Sequence, residues 1–134
     1  MKQLVELKTT DPIEEIKLAP VSRIDLIKYA GASGDFNPIH TIDEEATKAG
    51  LPGIIAHGMW TMGNLAKLFT PYYNEGFIHE YRIRFAGMVF LQDVITLKAE
   101  LQETVGNTMN FKVSAVNQNE KEVIKGNVIF RKYD

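Results

Sequence analysis

The tract from Met59 to Phe69 constrains this chain more than any other. It reads Met59-Trp60-Thr61-Met62-Gly63-Asn64-Leu65-Ala66-Lys67-Leu68-Phe69. Only Thr61, Asn64 and Lys67 are polar, and they recur every three residues, so a helix here carries one narrow polar stripe. Such a helix needs apolar surface on most of its circumference. A flat layer cannot supply that, whereas a curved sheet can.

The residues after Gly76 supply the sheet. Runs rich in β-branched and aromatic residues predict strands over Ile78–Phe85, Val94–Val105, Met109–Asn117 and Glu122–Lys132. Turn residues separate them, and Gly106-Asn107 suits a tight hairpin. Upstream the texture is helical. Ser22 and Asp25 have capping spacing ahead of a helix over Arg23–Ala30, with Ile24 and Ile27 on one face and Gly31 and Gly34 at or beyond its end. Thr41 and Glu44 repeat the capping spacing before a helix over Ile42–Ala49, stopped by Gly50. Alternation over Glu14–Leu18 predicts a short strand, interrupted by Pro20. Helices first and strands afterwards predict an α+β fold: a long antiparallel sheet on one apolar helix, with an edge strand free to pair with another copy.

Composition narrows the function. The 134 residues suit one domain, and 45% hydrophobic with 24% charged residues is an ordinary globular mixture. The net charge is -2, which argues against a nucleic-acid binder. The chain has no cysteine, which excludes disulfides, thiolate metal sites and cysteine nucleophiles. No apolar run is long enough to span a membrane, and the first residues lack the apolar core of a signal peptide, so the expectation is a cytoplasmic protein.

One segment carries chemistry: Ser33-Gly34-Asp35-Phe36-Asn37-Pro38-Ile39-His40. Pro38 prevents a regular helix, and Gly34 opens conformations closed to other residues. A loop of this kind can bring Asp35 and His40 into one space. A carboxylate and an imidazole together can hold a water and pass one proton, which is general acid–base chemistry near neutral pH. The same residue types also suit a plain turn, since Asp and Asn bond their own backbone. Beyond it, Ile54-Ile55-Ala56-His57-Gly58 leads into the apolar helix. First-turn N–H groups lack intrahelical acceptors, and Gly58 leaves its amide open to a carbonyl oxygen that gains negative charge. Tight packing of the chain entering the helix accounts for that glycine equally well.

Taken together, Tyr29, Ser33-Gly34-Asp35, Asn37-Pro38-Ile39-His40, Ala46, Gly50 and Ala56-His57-Gly58-Met59 resemble the hydratase-2 motif of the MaoC-like family. That family comprises (R)-specific enoyl-thioester hydratases and 3-hydroxyacyl-thioester dehydratases with a hot-dog fold. The resemblance implies that Asp35 and His40 activate water, that the Gly58 N–H binds the thioester oxygen, and that Ser33, Gly34, Asn37 and Pro38 shape the loop. It also implies a dimer with a shared sheet, either of identical chains or with a related hot-dog subunit. Its substrate is an acyl thioester of coenzyme A or phosphopantetheine, with no separate cofactor and no metal. A hot-dog thioesterase and an acyl-binding subunit of a heterodimer are the rival readings.

Two departures stand out. The family's Asp-Pro after the motif histidine reads Ile42-Asp43 here, and its Gly-Asp after Arg84-Phe85 reads Gln92-Asp93, which puts the turn there in question. Arg82 and Arg84 alternate on one strand face, where they can meet coenzyme A phosphates or an acidic carrier, although a solvated face explains them more simply. His57 suits a backbone contact, His79 an exposed strand start, and Met59, Trp60, Met62 and Phe69 the core. The histidines and dispersed carboxylates show no metal-ligand spacing.

Overall fold

The computed structural model describes residues 2–134. The ordered elements are β1 (Ile16–Lys17), α1 (Arg23–Ser33), α2 (Asp43–Lys48), α3 (Gly58–Leu65), β2 (Gly76–Phe85), β3 (Thr96–Val105), β4 (Thr108–Val116) and β5 (Glu122–Lys132). The strands form one antiparallel sheet in the order β1-β3-β4-β5-β2. The α+β expectation and the sheet curled over a central helix both hold.

Alternation builds the core. Along β4, Met109, Phe111, Val113 and Ala115 are buried, and Val128 and Phe130 of β5 join them. Phe69 meets Phe111 edge-on with ring centroids 5.2 Å apart, and lies 6.0 Å from the Phe130 ring. Beneath α3, the Tyr81 hydroxyl donates to the Met62 carbonyl, which fastens the helix to the edge strand β2.

The curl depends on two glycines. A Cβ on Gly126 would lie 1.9 Å from the Arg82 carbonyl oxygen, and one on Gly76 would lie 2.1 Å from that of Arg131. The β2 backbone therefore comes over the inner side of β5 at Gly126, and the β5 backbone over that of β2 at Gly76. A bulge between Ile78 and Glu80 leaves His79 out of the ladder, and His79 is exposed as expected.

The strand boundaries follow the sequence closely, but several helical expectations do not. Helix α1 continues through Gly31 to Ser33 and ends on Gly34, whose φ is +76°. The Ser22–Asp25 capping box forms as expected. The face that α1 buries carries Leu26 and Ala30, while Ile24 and Ile27 are exposed. No capping box forms at Thr41–Glu44, because Thr41 closes the preceding 3-10 turn through its N–H to the Pro38 carbonyl, and Ile42 takes the cap position. The apolar helix is α-helical only to Leu65 and continues as 3-10 turns through Tyr72, with Pro71 inside. Its polar stripe is also misplaced. Thr61 is 1% exposed, whereas Met59, expected in the core, is 55% exposed. Only Ile16 and Lys17 of the Glu14–Leu18 stretch pair as a strand; Ile13 and Leu18 donate singly to β3 and its approach.

The turn put in question by the missing glycine is intact. Gln92 adopts a φ of +69°, and Asp93 accepts from the Phe90 N–H at 2.8 Å and from the Gln118 amide at 2.9 Å. A left-handed non-glycine residue costs about 1 kcal/mol. Gln92→Gly is therefore expected to raise the melting temperature by a few degrees, read by thermal denaturation; an unchanged or lower value would show that the turn is unstrained.

Candidate active site

The catalytic-type segment folds through short local bonds. The Ser33 hydroxyl donates to the Tyr29 carbonyl at 2.7 Å and accepts from the Asp35 N–H at 3.2 Å. Asp35 Oδ1 accepts from the Asn37 N–H, and Asn37 Oδ1 from the Ile39 N–H, each at 3.2 Å. Pro38 opens a 3-10 turn over Pro38–His40. Its missing N–H costs nothing at that position. These turns place Asp35 Oδ2 4.0 Å from His40 Nε2. Asp35 is 52% exposed at its side chain, while His40 is 8% exposed overall.

His40 is anchored from behind. Its Nδ1 lies 2.7 Å from the Ile55 carbonyl oxygen. A carbonyl only accepts, so Nδ1 carries a proton, and Nε2 is the ring nitrogen turned toward Asp35. Ile55 is itself held by an isolated bridge to Phe90, and the Ala56 N–H donates to the Val89 carbonyl at 2.8 Å. The chain then turns into α3, where Gly58 is the first helical residue and His57 the cap position. The Gly58 N–H thus precedes any intrahelical acceptor.

A cavity of about 420 Å³ opens here, lined by Tyr29, Ser33, Asp35, His57, Gly58, Met59 and Phe85. The Phe85 ring sits against Gly58, where an added Cβ would approach it to 2.9 Å. Exposed Met59 and Phe85 give the mouth an apolar rim.

His57 is the residue whose place the sequence conveyed least. It is 2% exposed, its Nε2 donates to the Asp35 carbonyl oxygen at 3.1 Å, and its ring stacks on His40 with centroids 3.8 Å apart. The Tyr29 ring meets it edge-on at 4.8 Å. The backbone contact matches expectation. The stack does not follow from spacing, though the position of His57 beside the glycine that opens α3 pointed to this region. Asp35, His40 and His57 also bring three possible metal-ligand atoms within 4.8 Å of one another, although the sequence spacing showed no such grouping. The two rings are only 25° from parallel, so an ion at a usual ~2.1 Å from both nitrogens would sit far outside both ring planes.

Burial holds His57 below the ordinary imidazole range; its hydrogen bond to the Asp35 carbonyl opposes this, the neighbouring His40 reinforces it, and the Asp35 carboxylate opposes it. With the folded value depressed, the unfolded chain binds more protons as pH falls from about 6.5, so acid destabilises the fold until folded His57 is protonated too. The melting temperature should drop between about pH 7.5 and pH 5.5 by more in the wild type than in His57→Gln. Equal drops would dissociate His57 from the acid sensitivity.

Arg82 and Arg84 lie away from this cavity. Tyr81, Ile83 and Phe85 face the helix side of β2, so the arginines take the outer face, where they line a groove of about 570 Å³ with Lys112 and Lys125. Arg82 pairs with Glu80 at 2.8 Å. Among the described residues no helix is long and apolar enough to cross a membrane.

Comparisons with known proteins agree with this architecture. The profile described as MaoC like domain matches residues 6–124. The fatty acid synthase beta subunit TOXC of Cochliobolus carbonum is 39% identical over 75 residues, covering 54% of this chain and 4% of that protein. A 3-hydroxybutyryl-CoA dehydratase of Methylorubrum extorquens is 30% identical over 95 residues, covering 69% of this chain and 60% of that one. The chain thus spans less than two-thirds of either relative. An unliganded R-hydratase structure from Pseudomonas aeruginosa superposes with a TM-score of 0.88 at 24% identity, covering 97% of this chain and 84% of that one. That likeness establishes the hot-dog fold.

Proposed function

The chain belongs to the MaoC-like domain family, and from that premise we propose that it is a hydro-lyase: it hydrates trans-2-enoyl thioesters with (R) specificity, or dehydrates (3R)-3-hydroxyacyl thioesters in reverse. The observation that carries this reading is the 4.0 Å gap between Asp35 Oδ2 and His40 Nε2, beside a cavity that also holds the first amide of α3. The gap is too long for a direct hydrogen bond and suits one water, ~2.8 Å from each group.

In this mechanism the water hydroxyl adds to C3 as the pair takes its proton. The C2=C3 electrons move toward the thioester oxygen, and the Gly58 N–H stabilises the charge that develops there. The enolate then collapses as C2 receives a proton from the pair, so one water is consumed and no other reagent is needed. A preorganised donor of this kind contributes about 3–4 kcal/mol to lowering the barrier. The acyl group arrives as a thioester of coenzyme A or phosphopantetheine. The outer groove of Arg82 and Arg84 is offered to the anionic part of that carrier.

The reading takes residues 1–134 as one domain and a second copy, or a related subunit, as its partner. The outer edge of β2 supports the pairing: among the described residues no strand pairs with it along Gly76–Phe85, and its last residue lines the cavity.

The test is direct. Purified protein mixed with crotonyl-CoA should bleach the ultraviolet absorbance of the conjugated thioester without releasing free thiol. Thiol release would instead identify a thioesterase, and neither signal on short or long enoyl thioesters would remove the enzymatic reading.

A further inference from the structure

We propose that His57 is a positioning residue: its side chain joins Asp35 and His40, its backbone leads directly into the Gly58 amide, and it thereby holds the water-binding pair in register with the oxyanion donor. This rests on the hydratase reading and extends it to a residue that does not touch the reacting atoms.

The juxtaposition is specific. His57 precedes Gly58 in the chain and caps α3, with the Trp60 N–H donating to its carbonyl at 3.0 Å. Its ring lies on one face of His40, 3.8 Å between centroids. Its Nε2–H reaches back across 22 positions to the Asp35 carbonyl. The remaining side-chain and backbone bonds of residues 34–37 run to neighbours within their own loop or the end of α1, among the described residues. The His57 bond is therefore what ties the Asp35 backbone to the helix carrying the amide. Without it, the Asp35 side chain, half in solvent, is placed only by local turns.

Three observations exclude a merely space-filling role. A packing residue at this position could be apolar, yet His57 is an imidazole with a buried Nδ1 that has no hydrogen-bond partner. An orphaned buried polar atom carries a penalty of about 1–3 kcal/mol. The other ring nitrogen is the one that makes the Asp35 contact, so the penalty accompanies a bond that a phenyl ring could not make. The tautomer is also determined: a carbonyl partner requires the proton on Nε2. Finally, the ring is stacked on the one imidazole that must gain and lose a proton in turnover. A neutral ring there lets His40 become positive, while a second positive ring at 3.8 Å would oppose it. The titratable groups facing His57 are His40, Asp35 and Tyr29.

Three variants separate the contributions. His57→Phe keeps a stacked ring and loses the bond to Asp35. His57→Gln keeps an N–H donor near the Nε2 position and loses the ring. His57→Ala loses both. Misplacing a reacting group by about 1 Å costs on the order of 100-fold. The expected result is a kcat of crotonyl-CoA hydration lowered on that scale in His57→Ala, with KM little changed, and partial recovery in His57→Gln. Wild-type kcat in all three variants would overturn the proposal while leaving the hydratase reading intact. A kcat loss accompanied by an equal loss of folded protein in all three would also overturn it. A readout independent of turnover is the ring tautomer in ligand-free wild type, from long-range proton–nitrogen correlation. A proton on Nε2 at neutral pH supports the role, and one on Nδ1 overturns it even if no thioester substrate is ever turned over.

Discussion

Asp35→Asn should lower the kcat of enoyl-thioester hydration by about 10²–10⁴-fold, the usual worth of a positioned acid–base group, and leave the fold intact. The carboxylate is half exposed, and its nearest ionisable neighbour, His40 Nε2, is 4.0 Å away, so the stability lost with it is small. His40 calls for a more careful substitution. Its Nδ1–H satisfies the Ile55 carbonyl at 2.7 Å, and simple truncation would leave that buried acceptor unpaired at a cost of about 1–3 kcal/mol. His40→Asn keeps a donor near the Nδ1 position and removes the Nε2 lone pair. It should show the same loss of turnover with most of the stability retained. If both groups act on one water, the double variant should be barely slower than either single one. Rates come from the loss of enoyl absorbance, and stability from thermal melts. Either single variant retaining more than about a tenth of wild-type turnover would falsify the pair as the water-activating site.

The second large effect is on folding. Gly126→Ala should lower the melting temperature by on the order of 10 °C, reflecting about 3 kcal/mol of overpacking. The added methyl would stand 1.9 Å from the Arg82 carbonyl oxygen and 2.9 Å from the Ile83 Cα. Both are backbone atoms inside the β2–β5 ladder, so neither can swing aside. Gly126→Val should be worse, although valine ordinarily favours strands over glycine. Gly31 supplies the control. It lies in α1, and an added Cβ there meets nothing within 4 Å, so Gly31→Ala should gain up to about 1 kcal/mol. A Gly126→Ala protein that melts with the wild type would mean that the β2–β5 curl is relaxed rather than tightly packed.

The sheet was legible in the sequence because strand burial is a local pattern. Alternation along β4 and the predicted limits of β5, Glu122–Lys132, correspond to the ladder. The helices were less so, since a short helix shows its apolar residues without showing which way they face. Ile24 and Ile27 form a clear apolar pair, yet Leu26 and Ala30 are the residues that face the core. Thr61 belonged to a stripe of polar residues by count, but it is buried. At the site, the Asp35–His40 loop could be read because proline, glycine and asparagine signal their turns locally. The His57 stack could not, because it joins residues from two segments whose meeting depends on how the chain between them folds. The Gln92 turn shows the opposite limit: the glycine that the family resemblance led one to expect there is absent, and the backbone still takes the left-handed conformation, held by Asp93 and its partners.

The extra residue at His79 has a further effect through simple parity. Before it, the even-numbered Gly76 and Ile78 point toward the helix; after it, the odd-numbered Tyr81, Ile83 and Phe85 do. Pairing the strand without this bulge, with no residue removed, would leave the amino-acid order untouched, yet turn the far half of the strand inside out. Two guanidinium groups would be driven toward the core, and the aromatic ring at the cavity mouth would be swung into solvent. Removing His79 itself would leave a regular strand with the same side chains facing inward, whereas losing or gaining one residue elsewhere in β2 would invert every side chain beyond it.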